Sequence, residues 1–389
     1  MKLRVGALLG LLLLGGGVPP AIAQSFDEVD QAVEQGIERG VYPGAVVVIG
    51  RRDSIIYARG YGHFTWARTS PVPVPDSTLW DIASISKVMG TASAVMRLVD
   101  AGRIQLDAPL RRYLPRFSGG LKDQVTVRML LDHTSGLRSY APFFKRARSR
   151  AQAIDLLYGE RPTRRPGDLP VYSDLNAMLL GLMVETVSGM PLDRFVAREV
   201  FEPLELGQTT YHPSPVLRRR TMPSAVWRGQ PVQGQVNDPN AAIMGGAAGH
   251  AGIFSTGLDL ARYAQVWLRG GTGPKGQWVS ATTIRRFLTR GANSGPRLLG
   301  WDTPELNLAE PSLFGTLISD AAYGHTGFTG TELWIDPTRD LFLVFLTNRT
   351  FDPKVRDSMH RLRDVRVELS DAAIRLVPHA CQQELVAQC

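Results

Sequence analysis

The chain has 389 residues, of which 44% are hydrophobic and 21% charged. That is enough to bury a substantial core in one large domain or two intertwined ones, and it excludes disorder as the expected state. The formal charge is +8, and the only cysteines, Cys381 and Cys389, lie in the last nine residues without the partners of a metal site or a catalytic thiol.

Residues 1–23 read as a signal peptide. Lys2 and Arg4 precede the apolar run VGALLGLLLLGGGV, and Ala21-Ile22-Ala23 supplies the small residues of a cleavage site. Cleavage is expected after Ala23, releasing a soluble, exported protein to the periplasm or the medium. The apolar run is short and glycine-rich for a membrane span, and no later stretch of about 20 apolar residues follows. Loss of Lys2 and Arg4 takes the charge from +8 to +6. Export also excludes nucleic acid as the expected partner.

SFDE at 25–28 resembles a capping box, and Phe26, Val29, Val33 and Ile37 mark one face of an amphipathic helix. GAVVVIG and SIIYARGYG, separated by RRDS, read as an antiparallel hairpin. A helix opening at Ser84 continues through KVMGTASAVMRLVDAG, and residues 105–250 read as helix and loop punctuated by Pro and Gly. The β signal returns in TELWID and LFLVFLTN around the turn PTRD. Val355, Met359, Leu362, Val365 and Leu369 then mark a closing helix.

Strands at both ends with helices between them predict an α+β fold: an antiparallel sheet flanked by helices, with an all-helical insertion. The sheet lobe is expected at about 24–105 and 250–376, the helical lobe at about 106–249, and a tail at 377–389, where Cys381 and Cys389 could close a small loop. The basic runs KRARSR, RPTRR and LRRR between Lys145 and Arg220 read as solvated surface, with weak association with an anionic envelope as a second reading.

Three segments carry chemistry. Lys87 follows Ser84 by three positions, so its amine can approach the hydroxyl on one helix face. A serine at a helix N-terminus also lies where an oxyanion is favoured. Ser86 lacks such a lysine. In VYSDLN, Tyr172 is a phenol whose pKa near 10 a neighbouring cation such as Lys87 would lower, so that it could take the Ser84 proton. In YGHTGFTG, His325, Thr326 and Gly327 precede a strand. Glycine lets the backbone approach a substrate, and the Phe328 amide is a candidate second oxyanion donor beside that of Ser84.

These segments resemble the three motifs of the serine β-lactamase and penicillin-binding-protein superfamily, in its class C-like branch: Ser84-x-x-Lys87, Tyr172-Ser173-Asp174 and His325-Thr326-Gly327. WDIASISKV, MLLDHTSGL, GGAAGHAGIFST and WIDPTRDLFLVFLTNR are similar to stretches of that family as well, so the resemblance covers most of residues 25–370. It implies a β-lactamase/DD-peptidase-like fold and an acyl-enzyme mechanism without metal or cofactor. Ser84 becomes the nucleophile, Lys87 and Tyr172 the proton-transfer pair, and His325 to Phe328 the strand edge that lines the substrate.

Two departures from the family pattern bear on activity. Asp174 stands where class C β-lactamases have asparagine, and a carboxylate cannot donate to an acyl side chain. His325 stands where they have lysine, and an ordinary histidine is charged only part of the time near neutrality. The expected activity is therefore that of an exported serine hydrolase on D-alanyl cell-wall peptides, a carboxypeptidase-like reaction on a small-molecule or peptidoglycan-derived substrate. β-Lactam or ester hydrolysis is the alternative chemistry, and a non-catalytic peptidoglycan-binding or sensor protein is the alternative class. His133 is read as structural, in a turn. For Asp238, His250 and the surrounding GGAAGHAG, walling the pocket and permitting tight packing both stay open. No H-E-x-x-H, C-x-x-C, P-loop or G-x-S-x-G pattern occurs.

Overall fold

The computed structural model describes residues 26–304 and 312–377. The signal-peptide expectation, Ser25 of the capping box and both cysteines lie outside these residues.

Helix α1 (Asp27–Glu38) leads into β1 (Gly44–Arg51) and β2 (Ser54–Gly62), which pair antiparallel through a two-residue turn between Arg51 and Ser54. The short β3 (Trp80–Asp81) pairs with β6 (Phe254–Ser255). Between them lie α2 (Ser93–Asp100), α3 (Val127–Leu131), α4 (Arg150–Gly159), α5 (Asp174–Ser188), α6 (Leu192–Val196), α7 (Pro215–Arg218), the hairpin β4 (Ala225–Trp227) and β5 (Gln230–Val232), and α8 (Pro239–Ile243). Helix α9 (Gly257–Leu268) follows, then the small pair β7 (Thr272–Gly273) and β8 (Gly276–Gln277), and α10 (Ala281–Phe287). The chain ends in β9 (Tyr323–Thr326), β10 (Glu332–Asp336), β11 (Leu341–Thr347) and α11 (Ser358–Arg375).

Among the described residues the main sheet is five-stranded, antiparallel and ordered β2-β1-β11-β10-β9, so it is assembled from both chain ends as the sequence predicted. Strand β1 is apolar from Gly44 to Gly50 because both of its faces are covered. Val47, Ile49, Leu343 and Phe345 pack with Val29 and Val33 of α1 and Leu362, Val365 and Leu369 of α11. Val46, Val48, Val344 and Leu346 join Leu260, Ala261 and Ala264 of α9 in a core that continues into the helical region. Gly257 allows that contact: a Cβ there would stand 2.8 Å from Val46 Cγ1.

Three expectations change. The helix at the first motif begins at Ile85, with Ser84 in the turn before it, and Lys87–Ala92 is π-helical. The β4–β5 hairpin interrupts the stretch read as helix and loop. Its turn residues Arg228 (φ 50°) and Gly229 (φ 77°) adopt left-handed conformations, and the R-G dipeptide was the available signal. In α11, Met359 faces a cavity rather than the core.

Candidate active site

Ser84 is presented by a constrained turn. Strand β3 holds Trp80 and Asp81 against β6, and the Ile82 amide donates to Ile253 O at 3.1 Å. Ala83 then takes φ 47°, a left-handed conformation costly for a residue with a Cβ, and its amide is held by Asp81 Oδ1 at 2.9 Å. The amides of Ser86 and Lys87 turn back onto Ala83 O and Ser84 O at 3.0 Å each, which starts the helix. Ser86 is fully buried, and its Oγ accepts the Ile253 amide.

The π-helical turn that follows leaves Val88 O to Ser93 Oγ at 3.0 Å and Tyr263 OH at 3.2 Å. π-Turns are frequent at functional sites. Lys87 begins this turn. Its Nζ donates to Ser84 Oγ at 2.9 Å and His250 O at 3.1 Å, and lies 2.8 Å from Asp174 Oδ1. An ammonium has three protons, and all three have acceptors. Burial pulls the Lys87 pKa down, but Tyr172 and the Asp174 carboxylate more than reverse it, and the ammonium rests above its ordinary value.

Tyr172 and Asp174 are held by the segment MLLDHTSGL and the two residues after it, Arg138 and Ser139. Val171 N donates to His133 O at 2.9 Å, Ser173 N to His133 Nδ1 at 3.1 Å, Ser173 Oγ to Arg138 O at 2.6 Å, and Asp174 N to Ser139 O at 2.9 Å. His133, itself at φ 64° and buried, is thus a clamp on the second motif, in line with its structural reading. Burial, joined by the cations around it, holds its pKa well below the ordinary value, so the ring stays neutral and can accept the Ser173 amide.

The Tyr172 ring centroid is 5.0 Å from Lys87 Nζ. The expectation that Lys87 would bring the phenol below its ordinary pKa is corrected here. Burial raises it, and the opposing pull of Lys87, itself offset by Asp174, does not restore it. At rest the pair is an ammonium beside a neutral phenol.

His325 is corrected as well. It lies on β9 opposite Leu333, it is buried, and burial lowers its pKa to about 4 against the opposing pull of Asp302. The ring is neutral across the working range. Nδ1 sits 2.8 Å from Thr326 O, which assigns it the proton, and Nε2 has no partner among the described residues. The cation on this side of the pocket is Arg297, paired with Asp302 and 5.1 Å from the Tyr172 ring. Nothing in the local sequence marks Arg297. It reaches the pocket because Asp302 exchanges two 2.9 Å backbone hydrogen bonds with Gly324 of β9.

The end of β9 is pressed onto the Ser84 turn. A Cβ on Gly327 would lie 2.6 Å from Ile82 O, while Thr329 Oγ1 donates to Asp81 O at 2.7 Å and Thr331 Oγ1 to Ile82 O at 3.0 Å. Two arginines hold the same turn from behind. Arg349 donates to Phe328 O, and Arg366 to Thr331 O at 2.8 Å. Among the described residues the amides of Ser84 and Phe328 have no hydrogen-bond partner, whereas that of Gly327 is taken by Thr331 O at 2.7 Å. Behind Arg366 lies Glu332, fully buried with Oε2 3.5 Å from Arg366 Nε. Burial raises its pKa to about 8 against the opposing pull of Arg366.

Ser84, Tyr172, Asp174, His325, Thr326, Gly327 and Phe328 all line one cavity of about 650 Å³, with Lys87 beneath it. Asp238 and His250, joined at 2.9 Å, form another part of its wall. The neighbouring Gly249 meets Ala177 O of α5 so closely that a Cβ would sit 1.9 Å away. GGAAGHAG therefore walls the pocket and permits tight packing at once. A hydroxyl bonded to a buried lysine, a phenol beside them and two unspent amides at one cavity define a serine hydrolase.

The comparisons with known proteins agree. The family model Beta-lactamase matches residues 29–368. A protein of Escherichia coli (strain K12) named provisionally as a D-alanyl-D-alanine carboxypeptidase is 30% identical over 364 residues, 85% of this chain and 83% of that protein. The N-acetylmuramyl-L-alanine amidase of Bacillus subtilis (strain 168) is 32% identical over 365 residues, 84% of this chain and 82% of its own. Among solved structures, a penicillin-binding-protein homologue from Caulobacter crescentus superposes with a TM-score of 0.68 at 21% identity, covering 89% of this chain and 97% of that one. An octameric homologue from Pyrococcus abyssi gives 0.65 at 20%, over 83% and 73%. The chain belongs to the β-lactamase family.

Proposed function

We propose that the chain is an exported hydrolase of D-alanyl cell-wall peptides that works through an acyl-enzyme on Ser84. Ser84 Oγ attacks the carbonyl carbon of the terminal amide, and the oxyanion forms against the amides of Ser84 and Phe328. The C–N bond breaks, the departing amine takes the proton that Ser84 gave up, and an ester remains on Ser84. Water then cleaves that ester and restores the hydroxyl. Since Lys87 rests charged and Tyr172 neutral, the reactive form has lost one proton from this pair, which then accepts the Ser84 proton and passes it to the leaving group.

The observation that carries the peptide reading is the charge in the pocket: with His325 neutral and Arg366 committed to Thr331 O and Glu332, Arg297 is the cation left for a C-terminal carboxylate. Labelling by a fluorescent penicillin, with the adduct mapped by mass spectrometry, tests the nucleophile: Ser84→Ala abolishes it, and an adduct on Ser86 refutes the assignment. A hydrolysis screen tests the substrate. A D-Ala-D-Ala peptide with a free carboxylate is expected to be cleaved faster than nitrocefin, and Arg297→Ala is expected to raise KM for that peptide but not for a neutral p-nitrophenyl ester.

The similarity to the Bacillus subtilis amidase favours a second reading, cleavage of the bond between muramic acid and L-alanine. Release of an intact stem peptide, rather than free D-alanine, from a muramyl peptide would select it. N-terminal sequencing of the secreted protein tests export, with Gln24 as the expected first residue.

A further inference from the structure

The LRRR run is only partly consumed by the fold. Arg220 binds Ser77 O through Nε at 2.9 Å and Nη2 at 2.7 Å, and reaches Gln208 at 3.0 Å. Arg218 gives only its Nε, to Pro213 O at 3.1 Å. Arg219 is exposed and makes no hydrogen bond or ion pair among the described residues.

Arg218 and Arg219 line a second cavity of about 660 Å³, beside the β4–β5 hairpin, whose wall includes Ser224, Gln230 and Gln233. Among the described residues no aspartate or glutamate borders it. The catalytic cavity is of mixed sign, with Asp81, Asp174, Asp238 and Asp302 beside Arg297 and Arg366 in its wall. The two meet at Asn237, which borders both.

That shared wall is fixed. Asn237 donates its amide to Asp81 Oδ2 at 2.7 Å and its Nδ2 to Ser224 O at 2.9 Å. The other oxygen of the same carboxylate holds the Ala83 amide one residue before Ser84. A chain running from Ser84 across Asn237 would enter a basic, amide-lined cavity that no carboxylate borders among the described residues.

We propose that this second cavity is a subsite for the acidic part of an extended peptide substrate, with Arg218 and Arg219 receiving its carboxylates. The inference rests on the peptide-hydrolase reading, since it takes the ligand to be a continuation of the chain cut at Ser84. Exposed ion pairs are individually weak, so two of them support a preference of roughly tenfold at low salt, fading as ionic strength rises.

The test uses the full chain carrying Ser84→Ala, so that binding is read without turnover. Two synthetic peptides ending in D-Ala-D-Ala, differing only in two upstream Glu against two Gln, are titrated by fluorescence polarisation. The acidic peptide should bind about tenfold more tightly at low salt, and added salt should close the gap. Adding Arg218→Gln and Arg219→Gln should remove the preference, and Arg218→Lys with Arg219→Lys should keep most of it. Equal affinities in the Ser84→Ala protein, or a preference that survives the double glutamine change, would overturn the proposal. Should circular dichroism show the double variant misfolded, the two-peptide comparison and its salt dependence in the Ser84→Ala protein decide. Failure of the unmodified chain to cleave either peptide would count against the carboxypeptidase reading and leave the binding difference to be judged separately.

Discussion

On the helix side of the pocket, Lys87 is buried and charged, with every proton given to an acceptor; on the strand side, His325 is equally buried and neutral, with Nε2 unpartnered among the described residues. Burial penalises both cations, so it does not explain the difference. What separates them is their neighbours. Tyr172 and the Asp174 carboxylate in contact with Lys87 raise its pKa, whereas Asp302, which raises that of His325, is paired with Arg297, and both Lys87 and Arg297 add repulsion at His325. The helix side is built of paired side chains. The strand side presents backbone, with the Phe328 and Thr331 carbonyls held by Arg349 and Arg366.

The largest expected effect breaks the helix side directly. Tyr172→Phe keeps the ring beside Lys87 but removes its proton, and general acid–base catalysis is typically worth about 10²- to 10⁴-fold. Turnover should fall by that order. A loss of only two- or threefold would reduce Tyr172 to a packing role.

Asp174→Asn removes an anion that, after Tyr172, helps keep the Lys87 pKa raised. The Lys87 pKa then falls, the deprotonated pair is populated at lower pH, and the acid limb of the kcat/KM profile should move toward acid by about one unit or more. The sign matters more than the size. A limb that stays in place, or moves toward alkali, would show that Asp174 does not set the charge of Lys87.

Glu332 sharpens the comparison through stability. Its folded pKa of about 8 stands above the ordinary 4.5, so its contribution is fully present below the unfolded value and is lost as pH rises through 8. The melting temperature should therefore fall between pH 5 and pH 9. Glu332→Gln, which resembles the protonated side chain, should flatten that fall by roughly a few degrees. An unchanged pH dependence in the variant would mean that Glu332 is ionised throughout, paired with Arg366.

The smallest expected effect concerns His325. With its pKa at about 4, KM for a carboxylate-bearing peptide should show no step attributable to it between pH 5.5 and 9. His325→Gln should leave the shape of that profile unchanged. A rise in KM centred near pH 6.5 in the parent, absent in the variant, would restore His325 as the carboxylate-binding cation.

Much of the site was legible in the sequence because its parts are local. Ser84 and Lys87 are three residues apart, Tyr172 and Asp174 share one segment, and His325 to Phe328 are consecutive, so a family pattern could carry them. The hairpin, the late strands and most of the closing helix were equally plain, since period and turn residues are written within a few positions. Arg297 and the cavity-facing Met359 were not, because each depends on which distant segment packs against it, and the short β4–β5 hairpin carried only its R-G turn as a signal.

Protonation was the least accessible property. Sequence alone determined that a serine, a lysine, a tyrosine and a histidine of the right order were present. Only the tertiary structure decided that the lysine is charged, that the phenol and the imidazole are neutral, and that an arginine from another segment borders the pocket. A pKa is set by desolvation and by charges within a few ångströms, and those distances exist only once helix α5, strand β9 and the Ser84 turn have closed around one cavity.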